Sequence, residues 1–269
     1  KQSCSDTLIS GGGPVSTAIV AAARLGKKCK FIGYLSDDLY SNYLIDDFKK
    51  YGIDTEDIII EKGKTAFHSF LILSKTSGSR TCLFNRGDVT ENIQKINFDV
   101  IKSAKILHLD GNYLKTATEL AKKAKENGVT VSIDAGGLYQ GIETLLPYAD
   151  ILIPSEEFAL GLTKENSAEN ALLSLKEKYN PKIIALTQGN KGGIYFDNGI
   201  KRYNSYKVKV VDSNGAGDVF HGAFLTAYLN GLSIWDCCDF ASKVSAIKCT
   251  KKGARQSIPT NSEVNKFKF

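Results

Sequence analysis

Four short apolar segments, residues 106–110, 129–134, 151–153 and 182–187, are each too short for a helix, and helical patterns fill the gaps between them. In the first gap Ala117, Leu120, Ala121 and Ala124 fall at i, i+3, i+4 and i+7, the stripe of one helix face. Strands joined by helices run parallel, and a parallel sheet is covered on both faces. The expected fold class is therefore α/β: three α/β/α layers around a mainly parallel sheet. Acidic or hydroxyl residues stand at or just after the strand ends, with Asp110, Asn112, Asp134 and Thr187 the clearest cases. Ligands of such sheets bind beyond the carboxyl ends of the strands. The same residue types also serve as ordinary turn formers, so both roles stay open at these positions.

Other segments fill in the frame. Residues 15–25 are small and apolar, a buried helix entered through Gly11-Gly12-Gly13-Pro14, with Pro14 suited to a helix start. Residues 30–33 read as a strand, and residues 38–51 as an amphipathic helix closed by Gly52. Residues 65–73 and 80–84 flank Ser77-Gly78-Ser79 and predict a β-hairpin without a helix of its own, a small β lid. Residues 168–179 predict a helix, 193–196 and 207–211 strands, and two helices run onward from Asp218 and Ser233. No internal repeat, low-complexity tract or linker interrupts the chain. The expectation is one domain over residues 1–269, with lid segments near 1–10 and 64–86.

Composition narrows the function classes. The 269 residues are 42% hydrophobic and 24% charged, ordinary for a soluble globular protein. The net charge of +6 comes from lysines scattered along helix faces, which gives no footprint for nucleic acid and some bias toward anionic ligands. Six cysteines show neither C-x-x-C nor paired metal spacing and read as reduced thiols. No run has the length of a membrane span and no apolar signal segment opens the sequence, so a cytoplasmic protein is expected.

The chemistry concentrates in Asp212-Ser-Asn-Gly-Ala-Gly-Asp218, which leads into an apolar run reaching Leu229. The small residues Gly215, Ala216 and Gly217 let backbone N–H groups come close to a ligand. A helix starting there presents unpaired amides and the positive end of its dipole, a cradle for phosphate. Asp218 would repel that phosphate unless it accepts the proton of a hydroxyl that attacks phosphorus. An Asp in the first turn of a helix is also favoured structurally. Neither G-x-x-x-x-G-K-[ST] nor a strand-borne G-x-G-x-x-G occurs, which argues against a Walker-type NTPase and a dehydrogenase.

The segment from Gly11 to Gly26, GGGPVSTAIVAAARLG, resembles the N-terminal signature of the ribokinase-like (PfkB) carbohydrate kinases. The segment from Val211 to Ala223, VDSNGAGDVFHGA, resembles their C-terminal signature, and Thr187-Gln-Gly189, Gly192-Gly193 and residues 249–259 match in order and position. Within the family, the motifs look closest to bacterial sulfofructose kinases and related ketose kinases. The resemblance implies a sheet with a β lid, ATP and Mg²⁺ as cofactors, and phosphoryl transfer to a sugar hydroxyl. By position Asp218 is then the catalytic base, and Gly215, Ala216 and Gly217 form the anion hole. An ordinary Asp ionises near pH 4, so Asp218 is expected to be charged at neutral pH without tuning. Thr187, Gly189, Gly192, His221 and Gly253 fall on nucleotide-side positions, with strand-end packing the alternative for Thr187. Gly12, Gly13, Thr17, Asp110 and Asp218 fall on the sugar side, with helix–sheet packing the alternative for both glycines. Asp212, Asn214, Gly253 and Ser257 overlie a loop that holds a monovalent cation in some members, so K⁺ is an open expectation.

The sequence departs from the family in three places. Thr17 stands where an Asn usually bonds the sugar. The N-x-x-E segment tied to Mg²⁺ is here Ser155-Glu156-Glu157-Phe158, so no Mg²⁺ ligand is assigned. Nothing before Gly11 resembles the family's first strand with its sugar-binding Asp, and the expectation is that this strand lies outside the sequence. Arg80 and Arg86 could greet an anionic substrate group, although charge is common on exposed hairpins. His68 and His108 are expected as packed or lid residues. The expected partners are a small sugar and ATP, with a homodimer through the lid left open. A nucleoside or vitamin-precursor kinase, or a non-catalytic sugar or nucleotide sensor, are the competing readings.

Overall fold

The computed structural model describes residues 4, 6–73 and 80–269, and the chain divides into two compact units, Lys1–Cys29 with Phe98–Phe269, and Lys30–Asn97. The expected hairpin tip Ser77-Gly78-Ser79 and the side chain of Arg80 lie outside the described residues. The first unit opens with α1 (Pro14–Arg24), which starts on Pro14 after Gly13 at φ 90°.

The second unit carries β1 (Gly33–Ser36), α2 (Leu39–Lys50), β2 (Ile58–Glu61), β3 (His68–Leu73) and β4 (Arg80–Asn85). The strand expected at residues 30–33 lies later: Lys30 makes only an isolated bridge to Asp54, while β1 pairs with β2 in parallel from Gly33 to Ser36. Lys30 is tied to Asp54 at 3.0 Å and to Asp57, which holds that segment in place. Asp38 caps α2 by accepting from the Ser41 amide at 2.7 Å, and its other oxygen accepts from the Ala66 amide at 2.8 Å. Strands β3 and β4 form an isolated antiparallel pair, the expected hairpin. It exposes Phe70, Leu71, Ile72, Leu83 and Phe84.

The first unit resumes with β5 (Ile106–Leu109), α3 (Leu114–Glu126), β6 (Thr130–Ala135), β7 (Ile151–Pro154), α4 (Glu156–Thr163), α5 (Ala168–Tyr179), β8 (Ile183–Thr187), β9 (Gly193–Phe196) and β10 (Ile200–Tyr203). It ends with α6 (Ala216–Leu229), α7 (Ile234–Cys249) and α8 (Asn261–Lys266). Six strands form one sheet in the order β10-β9-β8-β7-β6-β5. Strands β5 to β8 are parallel, and β9 and β10 add antiparallel at one edge. The mainly parallel sheet flanked by helices is the expected α/β class. All four residues of β7 are buried, as a strand covered on both faces requires. Residues 207–211, expected as a strand, form none; the amide of Val211 instead donates to the carbonyl of Cys249. That segment is mostly exposed, so its alternating Val and Lys have no second strand to pair with.

Serine and threonine caps set the helix starts. Ser155, Ser167 and Ser233 each accept from an amide of the first turn, and Thr260 with Glu263 completes a capping box. Each cap contributes about 1 kcal/mol. Helices α1 and α6 pack closely because Gly222 has no side chain: a Cβ there would lie 2.1 Å from the Ala18 carbonyl oxygen. This packing places the start of α6 beside α1. All six cysteines are free, and no helix among the described residues is long and apolar enough to cross a membrane.

Candidate active site

The carboxyl ends of the parallel strands bring the acidic residues together. Asp110 follows β5 and Asp134 lies within the end of β6. Asp218 stands in the first turn of α6, whose N-cap Gly215 has φ 78°, a left-handed conformation that glycine adopts freely. Burial pushes the Asp218 carboxyl up to about 8, and the neighbouring charges of Asp134 and Asp110 push the same way while Arg255 opposes them. Asp110 and Asp134 are raised too, in each case chiefly by burial. The expectation that Asp218 is ionised at neutral pH without tuning is therefore corrected. Three acids share one enclosed site, and charging all three is unfavourable.

Arg255 is the cation the sequence reading missed. It is fully buried, and its guanidinium donates to the Gly12 carbonyl at 2.9 Å. A Cβ on Gly11 would lie 2.2 Å from its Nη1, so Gly11 is small to admit the guanidinium. The residue sat in a quoted motif; its burial beside acids from distant segments was not readable there.

Among the expected anion-hole residues, the Ala216 amide donates to the Ser213 carbonyl at 3.2 Å and is thus engaged in a turn. Gly217 is exposed and has nothing within 4 Å of a would-be Cβ. Ser245 pins the turn by donating from its hydroxyl to the Ala216 carbonyl at 3.0 Å.

On the sugar side, Gly12 and Gly13 are exposed at the start of α1, and space around Gly12 is open to 4 Å. The Asp110 carboxylate accepts from the Asn112 amide at 2.9 Å and, at a long 3.5 Å, from the Val15 amide of α1. It thus serves as a turn residue while remaining in the acidic group. Thr17 is fully buried, and its hydroxyl has no hydrogen-bond partner. Its methyl lies 3.4 Å from a would-be Cβ on Gly215, so it packs against the cradle and is enclosed instead of facing a ligand.

On the nucleotide side, Thr187 ends β8 and Gly189 is exposed with open space around it. Gly192 and Gly253 lie in closely packed backbone. A Cβ on Gly192 would lie 2.1 Å from the Tyr203 carbonyl oxygen, and Gly253 is buried at φ 97°. His221 is also enclosed, at 6% side-chain exposure, with Nε2 3.5 Å from an Asp134 oxygen; burial holds its imidazole down at about 3 and neutral. Ser155 caps α4 and Phe158 is buried, so both are structural, while Glu156 accepts from the Gln188 amide group at 2.8 Å. Glu157 is exposed on the same turn.

The candidate cation loop is occupied by the protein's own groups. Asp212 accepts from the amides of Asn214 and Gly253, each at 2.9 Å, and Ser257 donates to the Gly253 carbonyl. Lys248, fully buried, donates its ammonium to the Asp212 carbonyl at 2.9 Å. Burial lowers its basicity, and Asp212 opposes that shift.

The fold and this arrangement define a class. A ribokinase from Thermotoga maritima superposes with a TM-score of 0.86 at 29% identity, covering 98% of this chain and 90% of that one, so the fold is ribokinase-like. The pfkB family carbohydrate kinase profile matches residues 3–261, and the chain belongs to that family. It is 32% identical to the probable fructokinase-5 of Arabidopsis thaliana, over 96% of this chain and 87% of the relative. It is 29% identical to a 5-dehydro-2-deoxygluconokinase of Clostridium beijerinckii, over 96% and 83%.

Proposed function

We propose that this carbohydrate kinase transfers the γ-phosphoryl group of ATP to a hydroxyl of a small ketose- or pentose-type sugar, with Asp218 as general base. The observation that carries this reading is the Asp218 carboxyl on the first turn of α6, one residue after the exposed Gly217. As the acceptor oxygen bonds to phosphorus, its O–H bond breaks and Asp218 takes the proton, while the bond from γ-phosphorus to the bridging oxygen breaks and ADP leaves. A carboxyl raised to about 8 is a stronger base than an ordinary Asp, provided it is first deprotonated. The N-terminal end of α6 stabilises the charge on the transferring group. Exposed Gly12 and Gly13 bring backbone to the sugar, and Thr187 and Gly189 serve the nucleotide phosphates.

Mg²⁺ neutralises phosphate charge when bound with ATP. Glu156 and Glu157 offer it hard oxygen donors on the first turn of α4 and so fit the group. For the monovalent cation, Lys248 supports a different reading from K⁺: its side-chain nitrogen already sits on the Asp212 carbonyl and supplies a cationic group to the cradle loop. We read residues 64–86 as a lid, and the apolar surface of β3 and β4 as the place where a second copy packs.

The test is ATP consumption with Mg²⁺ across fructose, other ketoses, ribose, sulfofructose, 5-dehydro-2-deoxygluconate and nucleosides. Turnover with one sugar supports the proposal and names the acceptor. Turnover with nucleosides alone, or ATP binding with no turnover on any acceptor, would contradict it.

A further inference from the structure

The geometry points to a transition-metal site formed by His108, Asp134 and His221. One ligand atom from each residue lies within 4.8 Å of the other two, so small side-chain rotations bring all three onto one ion. The residues come from β5, β6 and α6, three elements of the same compact unit. Two imidazoles and one carboxylate form a donor set suited to zinc and its first-row neighbours, not to Mg²⁺, which prefers oxygen.

Two further observations point to a ligand. The Nε2 of His108 and the Nδ1 of His221 are buried without any hydrogen-bond partner. An unpartnered buried polar group is unfavourable, and two in adjacent rings, with centroids 5.3 Å apart, need a reason. The rings are also prepared as ligands. The hydroxyl of Ser132 lies 3.1 Å from His108 Nδ1, the outer contact that fixes a ligating histidine's orientation and leaves Nε2 for the metal. A dication there compensates the Asp134 carboxylate. The site shares Asp134 with the acidic group around Asp218, but its readout is metal binding and does not depend on turnover.

The test uses the full chain stripped with EDTA, titrated with Zn²⁺ against a chromophoric chelator and with Co²⁺ for its spectrum. We expect one equivalent of tightly held Zn²⁺ and a Co²⁺ spectrum without a thiolate charge-transfer band, which sets the free cysteines aside. His108→Gln and His221→Gln, on separate elements, should each weaken binding at least about tenfold. Zn²⁺ should raise the Tm of the unsubstituted protein by more than that of either variant, with the metal-free Tm values reporting that the variants fold. Absence of stoichiometric binding, a thiolate band, or binding unaltered in both variants would overturn the site.

Discussion

The guanidinium of Arg255 donates to the carbonyl of Gly12 at 2.9 Å, joining the loop before α8 to the loop that opens α1. The same guanidinium is a counter-charge for Asp218, so one buried side chain serves loop position and electrostatics together. Arg255→Met should lower stability by about 3 kcal/mol, the usual loss when one partner of a buried charge group is removed. It should also raise KM for the acceptor and move the acid limb of the pH–rate profile upward. Arg255→Lys should recover the limb more than the KM, because lysine keeps the charge and loses the fork. Denaturant melts and steady-state kinetics check both.

The acidic group predicts an unusual pH dependence. Only ionised Asp218 accepts a proton, so kcat/KM should rise with pH through an apparent pKa near 8. Asp134→Asn removes a like charge and should move that limb to lower pH. Stability runs the other way. The folded-state pKa of Asp218 lies above the ordinary value near 4, so the unfolded chain releases its proton first, and stability falls as pH rises from about 4 through about 8. The Tm of Asp218→Asn should therefore exceed that of the unsubstituted protein above pH 8, with the gap closing toward pH 4.

Lys248 predicts how activity responds to monovalent cations. With an ammonium resident on the Asp212 carbonyl, replacing K⁺ by tetramethylammonium should leave kcat within about twofold, which coupled ATPase assays at constant ionic strength would read. Lys248→Ala should reduce activity at least about tenfold, the loss of one well-placed charge contact at a catalytic loop.

Gly222 is a close-packed point between α1 and α6. Gly222→Ala would set a Cβ against the Ala18 carbonyl and 2.8 Å from the Ala21 Cβ. We expect a loss of about 2–3 kcal/mol in urea unfolding. Activity should fall with it, because α6 carries Asp218 and α1 follows directly on Gly12 and Gly13.

The repeating strand–helix pattern was legible because fully buried parallel strands read as unbroken apolar runs, as at β7 and β8. Residues 207–211 misled because alternating Val and Lys satisfies the strand pattern whether or not a partner strand exists. The start of α6 was legible because small residues followed by an acid suit a helix N-terminus, as at Gly215 and Asp218. The raised pKa of Asp218 was not, since it arises first from burial and then from Asp134 and Asp110 on other elements. The burial of Lys248 and Arg255 was likewise not legible, because the groups they bond come from distant segments.

The most direct test of the central claim is kcat for Asp218→Asn on the best acceptor, with ATP affinity and far-UV circular dichroism measured alongside. The account predicts a fall of about 10³-fold with ATP binding and fold intact. A variant that retains more than about a tenth of the activity would show that another group takes the proton and would contradict the account.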